Sequence, residues 1–379
     1  MKLFVHLLIL YFFSFAQNEC KDWQKLHPEW IFCDDFEDTA SLVKVGRYFE
    51  YDNNNGDFIV LENVGINNSR GMRAKWQVGE VNAGSIKLAF GRNPNSYMNK
   101  QNIHTLDTFR EIYYRMYLRM QKGWQGSPAK LSRATVFTSS SDWRQAMIAH
   151  LWSDDKEHLL IDPASCVDPS GKVVCTTYND FVHLKWLGNK SGITPIFSSE
   201  NSGKWFCIEH HVKLNDPGQS NGIQEFWIDG NLEARREGLN FVGTYTEYAI
   251  NAIFFENYWN SGSPIEQERY FDNIVISEKP IGCLQTEVIN RDYNIINERF
   301  YNNHLKINII YKSNQKYLIV NADKINNYKI QIFNSNGKKI NNIVSNDKKL
   351  YKLNEIPSGI YFITVLLENN VFIKKVFII

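Results

Sequence analysis

The sequence predicts an all-β protein: a two-sheet sandwich over roughly residues 30–283, followed by a small, separate β-sandwich from about residue 305. Three observations predict it. The stretch Trp205–Glu237 alternates with a period of two, short strand-like segments recur with turn signals and no sustained helical period, and the composition changes after Cys283. In the first, Phe206, Ile208, His210, Val212 and Leu214 point one way, and Trp205, Cys207, Glu209, His211 and Lys213 the other. Asn215-Asp216-Pro217-Gly218 breaks that ladder, and Asp229-Gly230 is a two-residue hairpin signal. The face rich in Trp, Glu, His, Lys and Arg reads as the floor of a groove for something polar and ring-shaped.

Taken in order, the chain opens with Met1-Lys2 and the apolar run Leu3–Ala16. That run is too short to span a membrane comfortably, so residues 1–16 are expected to be a secretory signal peptide. Glu19 before Cys20 argues against a lipid anchor, and no later stretch is apolar enough to form a transmembrane segment. The 379 residues carry 43% hydrophobic content, enough for a substantial core and more than one domain. The formal net charge is +1; no nucleic acid partner is expected, and a monomer is. The six cysteines allow fifteen pairings; Cys166 and Cys175, bracketing VDPSGKVV, are the preferred disulfide. No CxxC or His spacing suggests zinc.

After a polar lead-in, Phe32–Glu37 begins the sandwich. Strands are expected at Phe58–Val64, Gly71–Val78, Gly84–Phe90, Glu111–Met120, Ala134–Thr138, Gln145–Trp152 and Val182–Trp186. Residues 284–304 read as a linker, rich in Asn and charge. The tail from Tyr301 to Ile379 holds 12 Lys+Arg against 4 Asp+Glu, a net of +8; the rest, Lys2 aside, holds 29 basic and 37 acidic residues, a net of −8. Two such balances mark two domains. Short β-runs at Lys316–Val320, Lys329–Phe333, Gly359–Leu367 and Val371–Ile379, with Asn336-Gly337 as a turn, make the tail a β-domain over 305–379.

The Trp–Glu strand, then VKLNDPG, then WIDG, and the closing strand Tyr270–Ser277 resemble the concanavalin A-like β-jelly rolls of secreted polysaccharide lyases, of the alginate, glucuronan and ulvan lyase type. The resemblance covers roughly residues 30–283 and implies one jelly-roll domain over 17–283. It implies first and last strands side by side, so Asp35, Glu37 and Asp272 could converge on a structural calcium; no cofactor is required. In the tail, IQIFNSNGKKI, EIPSGIYFITV and KKVFII resemble the C-terminal sorting domain of the type IX secretion system of Bacteroidetes. That implies the secretion machinery as a partner, export across the outer membrane, and a secreted or cell-surface location.

For a lyase the substrate is an anionic, uronic acid-containing polysaccharide. Elimination needs a cation at the carboxylate, a base for the neighbouring proton and an acid for the leaving oxygen. Lys130, in SPAKLSRATVF, resembles a groove lysine of such lyases, although Pro128-Ala129 replace the usual glycines. His150, His211 and Tyr258 are the further catalytic candidates, with Tyr178 in reserve. Arg115, Arg119, Glu209, Arg236, Asn257 and Trp152 are candidates for substrate binding, since Arg forks suit carboxylates and rings suit sugar faces. Lys130, Arg115 and His211 are expected on one concave face with Tyr258 at its rim. Each also has a plain structural alternative: a solvated face, a core histidine, a packing tyrosine. A glycoside hydrolase would need paired carboxylates, and no ExDxxE-like run occurs. A non-catalytic binding jelly roll would need only an aromatic floor. The acidic balance of the main module works against long-range steering of a polyanion.

Overall fold

A computed structural model describes residues 19–94 and 103–284 and, with short breaks, the strands between 305 and 378. The expected signal segment 1–16 and all of the expected linker except Leu284 lie outside the described residues. The chain divides into two compact units, Met1–Leu284 and Gln285–Ile379.

The first unit is a two-sheet β-jelly roll. Its strands are β1 (Trp30–Asp34), β2 (Glu50–Asp52), β3 (Phe58–Leu61), β4 (Gly71–Trp76), β5 (Asn82–Ala89), β6 (Glu111–Met120), β7 (Lys130–Phe137) and β8 (Gln145–Ser153). They continue with β9 (Leu159–Ser165), β10 (Lys185–Trp186), β11 (Lys190–Ser191), β12 (Trp205–Lys213), β13 (Gly222–Ile228), β14 (Asn231–Leu239), β15 (Ala252–Tyr258) and β16 (Gln267–Ser277). The first sheet runs β14-β13-β12-β6-β16-β4-β3, with β1 also on β16; the second runs β10-β9-β8-β7-β15-β5-β2, with β11 also on β9.

The alternation of each strand supplies the core between the sheets. Tyr114, Met116 and Leu118 of β6 and Phe206, Ile208 and Val212 of β12 meet Leu131 and Val136 of β7, Met147 and Leu151 of β8, and Ile253 and Phe255 of β15. Each fully buried aliphatic or aromatic side chain contributes roughly 1.5–3 kcal/mol. His210 also faces inward, as the alternation predicts. Its Nδ1 meets the Tyr114 hydroxyl, which lies 2.9 Å from Ser132 Oγ across the sandwich, and its Nε2 lies 3.0 Å from the Gln224 amide. Burial, with His211 beside it, pushes His210 down to about 3, so it is a neutral member of a polar thread through the core.

Strand β9 is absent from the sequence-derived set because Pro163 sits in its middle. The ladder tolerates it because β10 pairs at Ser165 and Ala164 and β11 at Ile161 and Leu160, leaving Pro163 in the gap between them. Strand β16 changes partners midway: β4 covers Gln267–Phe271 and β1 covers Ile274–Ser277, with a register shift against β6 between Asp272 and Val275. Asn273 there has φ 46°, and Asp272 secures the irregularity. It accepts the N–H groups of Ile66 (2.7 Å) and Asn273 (2.8 Å) and the Ser69 hydroxyl (3.1 Å).

Gly84, inside β5, has φ +94°, and a Cβ there would lie 2.5 Å from both the Asp52 carbonyl oxygen and Phe58 Cβ. Gly84→Ala is therefore expected to destabilise by about 1–3 kcal/mol, read as a lower urea midpoint at unchanged slope.

Three disulfides close the unit: Cys20–Cys33, the expected Cys166–Cys175, and Cys207–Cys283.

The second unit contains β17 (Leu305–Lys312), β18 (Gln315–Ala322), β19 (Tyr328–Asn334), β20 (Lys339–Ser345), β21 (Leu350–Lys352), β22 (Gly359–Leu367) and β23 (Asn370–Ile378). They form the sheets β17-β18-β21 and β20-β19-β22-β23. Asn336-Gly337 falls outside the described residues, but the strands on either side of it pair antiparallel.

Candidate active-site face

The outer face of the second sheet gathers the reactive side chains. Two cross-strand rows lie side by side on it. In one, Asp162, His150, Arg133, Phe254, Lys87 and Glu50 stand opposite one another from β9 to β2. In the other, Leu160, Trp152, Lys130, Tyr258 and Asn82 do so from β9 to β5. A register shift between Lys130 and Ser132 brings Lys130 and Arg133, three apart in sequence, to one face.

Arg133 is wholly buried and fully engaged. Its Nε and Nη2 donate to Glu256 at 2.8 and 2.6 Å, its Nη1 donates to Asn179 Oδ1 at 2.6 Å, and its guanidinium lies 5.4 Å from the Tyr178 ring centroid. Burial works against its charge, and the Glu256 carboxylate more than offsets this, so the pair stays ionised. Burial pushes Tyr178 up to about 12. Lys87 pairs with Glu50 and lies 5.3 Å from the rings of Trp143 and Phe254.

Lys130 differs from these cations. Its Nζ sits 4.5 Å from the Tyr258 ring centroid and makes no hydrogen bond or ion pair among the described residues. Burial lowers its pKa, partly opposed by Glu256. Tyr258 is 37% exposed at the rim. His150 is wholly buried: its Nδ1 lies 2.9 Å from the Asp162 carbonyl oxygen and its Nε2 has no partner among the described residues. Burial, then Arg133, holds the imidazole well below its usual pKa, so Nδ1 donates to the carbonyl and Nε2 is a bare acceptor.

Of the residues singled out in the sequence, Lys130, Tyr258, His150 and Trp152 come together here, with Tyr178 beside Arg133. The others do not. Arg115, Arg119, Glu209 and His211 belong to the outer face of the opposite sheet, which is covered in part by the segment that follows β16. Glu209 accepts the N–H groups of Ile281 (2.8 Å) and Gly282 (2.9 Å), and Tyr117 accepts that of Leu284. Arg115 is buried against Glu19 and the Gly282 carbonyl. Arg119 is held between the rings of Trp205 and Tyr270, at 4.9 and 4.4 Å. His211 is stacked on Tyr113 and bonded by Glu225 (2.8 Å) and Glu111 (3.0 Å). The expected groove floor is thus crossed by the 281–284 segment and its Arg115, Arg119 and His211 are engaged, while Trp205, Lys213 and Trp227 at its margins stay partly exposed. Arg236 caps the Leu187 carbonyl at 2.9 Å. Asn257 points into the core, donating to the Gly84 carbonyl and accepting from Arg269, both at 3.0 Å.

The carboxylates expected at a calcium accept hydrogen bonds from neighbouring loops. Asp35 accepts from Cys20 and Glu37, Glu37 from Arg70, and Asp272 from the loop described above. No group of three or more His, Cys, Asp or Glu side chains among the described residues could hold a metal.

Arg133, Glu256 and Asp162 were not singled out from the sequence. Strict alternation through INAIFFENY would have put Glu256 beside Tyr258 and turned Asn257 inward.

Solved structures similar to this chain include the endo-β-1,4-glucuronan lyase of the fungus Trichoderma reesei, at 10% identity and TM-score 0.44 over 66% of this chain and 96% of that one. The alginate lyase vAL-1 of Chlorella virus is similar at 13% and 0.42, over 59% and 89%. The PL-14 alginate lyase of Aplysia kurodai is similar at 11% and 0.43, over 65% and 98%. Likeness this distant gives no residue correspondence. No curated protein matches the sequence. Residues 303–379 match the family described as the secretion system C-terminal sorting domain. Deleting Ser358–Ile379 is accordingly expected to hold the protein in the periplasm, as cell fractionation would report. No helix among the described residues is long and apolar enough to cross a membrane. The chain is thus a β-jelly roll exported to the outer membrane or cell surface by a C-terminal sorting domain.

Proposed function

We propose that the jelly roll cleaves an anionic, uronic acid-containing polysaccharide by β-elimination on the outer face of its second sheet. The unpaired, part-buried ammonium of Lys130, stacked on a rim tyrosine, carries this reading. A desolvated cation without an anion is costly, and an arriving carboxylate offsets that cost. A uronate so neutralised has an acidified proton on the adjacent ring carbon. A base takes this C5 proton, the C4–O4 bond breaks with its electron pair going to O4, O4 gains a proton, and a C4=C5 double bond remains. Tyr258, against Lys130, is the group within reach to carry a proton in that exchange. Arg133, locked by Glu256 and Asn179, holds the floor and Tyr178 in place.

Hydrolysis fits this face poorly. Asp162 on β9 and Glu256 on β15 stand three strands apart, roughly 14 Å at about 4.8 Å per strand, beyond the spacing paired glycosidase carboxylates use. Glu256 is also committed to Arg133. The test is the rise of unsaturated-uronate absorbance when the secreted protein meets alginate, ulvan, glucuronan or glycosaminoglycans. Product from one polymer class is expected. No product from any of them would leave a non-catalytic carbohydrate-binding jelly roll as the better reading.

A further inference from the structure

Three polar groups at adjacent register positions of β8 and β9 have no partner among the described residues. His150 Nε2 and Trp152 Nε1 are buried and unbonded, and the Asp162 carboxylate, directly opposite His150, makes no hydrogen bond or ion pair among the described residues. Buried polar atoms are nearly always bonded, so such a cluster is suited to partners from outside the chain. Above it lie two exposed rings. Trp186 and Phe181 stack at 6.3 Å and 10°, and the Trp186 ring is 5.6 Å from His150 and 6.2 Å from Trp152. Both rings stay open to solvent, Trp186 at 42% and Phe181 at 49%.

A pyranose ring asks for this mixture: an apolar C–H face for an aromatic ring, and hydroxyls that both donate and accept. Nε2 of neutral His150 accepts, the Trp152 indole donates, and the Asp162 carboxylate accepts. Burial pushes the Asp162 carboxyl up to about 6, so at neutral pH it is mostly ionised and chiefly accepts. It therefore repels a uronate carboxylate and admits a hydroxyl edge. Trp186 belongs to a two-residue strand at the sheet edge, and the subsite requires its ring to move off His150 and stack on the sugar.

We propose that Asp162, His150 and Trp152, under Trp186 and Phe181, form a sugar subsite that takes the hydroxyl edge of a pyranose ring beside the centre at Lys130. It deepens the lyase reading and rests on it for the identity of the polymer. The subsite gives that polymer a direction across the sheet. Acid groups lie toward Lys130, and hydroxyl edges toward β9.

The test uses Tyr258→Phe protein, in which turnover is expected to be slow and affinity nearly unchanged, titrated calorimetrically with alginate and glucuronan tetrasaccharides and with cellotetraose. Tryptophan fluorescence is followed in parallel. At least one tetrasaccharide is expected to bind with a change in fluorescence. Adding Asp162→Asn or Trp186→Ala should weaken that binding about tenfold or more, with little change in the thermal melt. Affinities within about twofold in both variants, or no binding of any tetrasaccharide, would overturn the subsite. The two readings fail separately. Unsaturated product from the wild type with unaltered binding in the variants removes the subsite and keeps the lyase. Asp162- and Trp186-dependent binding without product from any polymer does the reverse.

Discussion

Tyr258→Phe is expected to lower turnover by about two to four orders of magnitude while leaving substrate affinity nearly unchanged. The substitution keeps the ring on which the Lys130 ammonium rests, 4.5 Å from its centroid, and removes only the hydroxyl. Binding energy that does not distinguish ground from transition state therefore survives, and the proton transfer does not. Lys130→Ala should lose a comparable factor in turnover and, in addition, affinity, because the carboxylate meets that charge before and during the reaction. Initial rates of unsaturated-product formation over a range of substrate concentrations separate the two patterns. A near-full rate from Tyr258→Phe would move proton transfer to His150 or Tyr178.

Glu256→Gln is expected to be the most destabilising single change on the same face. It leaves the guanidinium of Arg133, wholly buried, without its counter-charge. Breaking a buried pair from one side costs about 3–5 kcal/mol, which in a unit of this size lowers the melting temperature by roughly 6–20 °C. The double variant Arg133→Met with Glu256→Leu removes both charges and should recover much of that loss, because an apolar pair leaves no uncompensated ion. Scanning calorimetry of the three proteins tests this. If Glu256→Gln melts with the wild type, Asn179 and water suffice for Arg133 and the pair is not what holds the floor.

The sequence made the sheets legible because period-two alternation is a property of each strand alone. It placed Tyr114, Met116 and Leu118 inside, and it separated His210 from His211 correctly. Alternation names the two sides of a strand without saying which is open. Glu209, Arg115 and His211 share a face that looks like a groove until the segment around Ile281–Leu284, some seventy residues later in the chain, is laid across it. Of the six cysteines only Cys166–Cys175 was paired from spacing, so the Cys207–Cys283 bond that fixes the covering segment stayed unassigned. Irregularities hid the rest. The register shift after Lys130 turns Arg133 toward Tyr258, and Pro163 disguises the strand that carries Asp162.

The covering segment has a mechanical consequence. Strand β16 ends at Ser277, and the chain then crosses β12 and β6 before it is bolted at Cys283, one residue short of the end of the first unit. A tug on whatever follows Leu284 is delivered through Cys283 to Cys207, in a strand flanked on both sides by neighbours, and so cannot peel β16 away from its free end. Towing, tethering or trimming of the C-terminal extension would thus be borne by a covalent stop, leaving the sheet that carries Lys130 and Tyr258 without load.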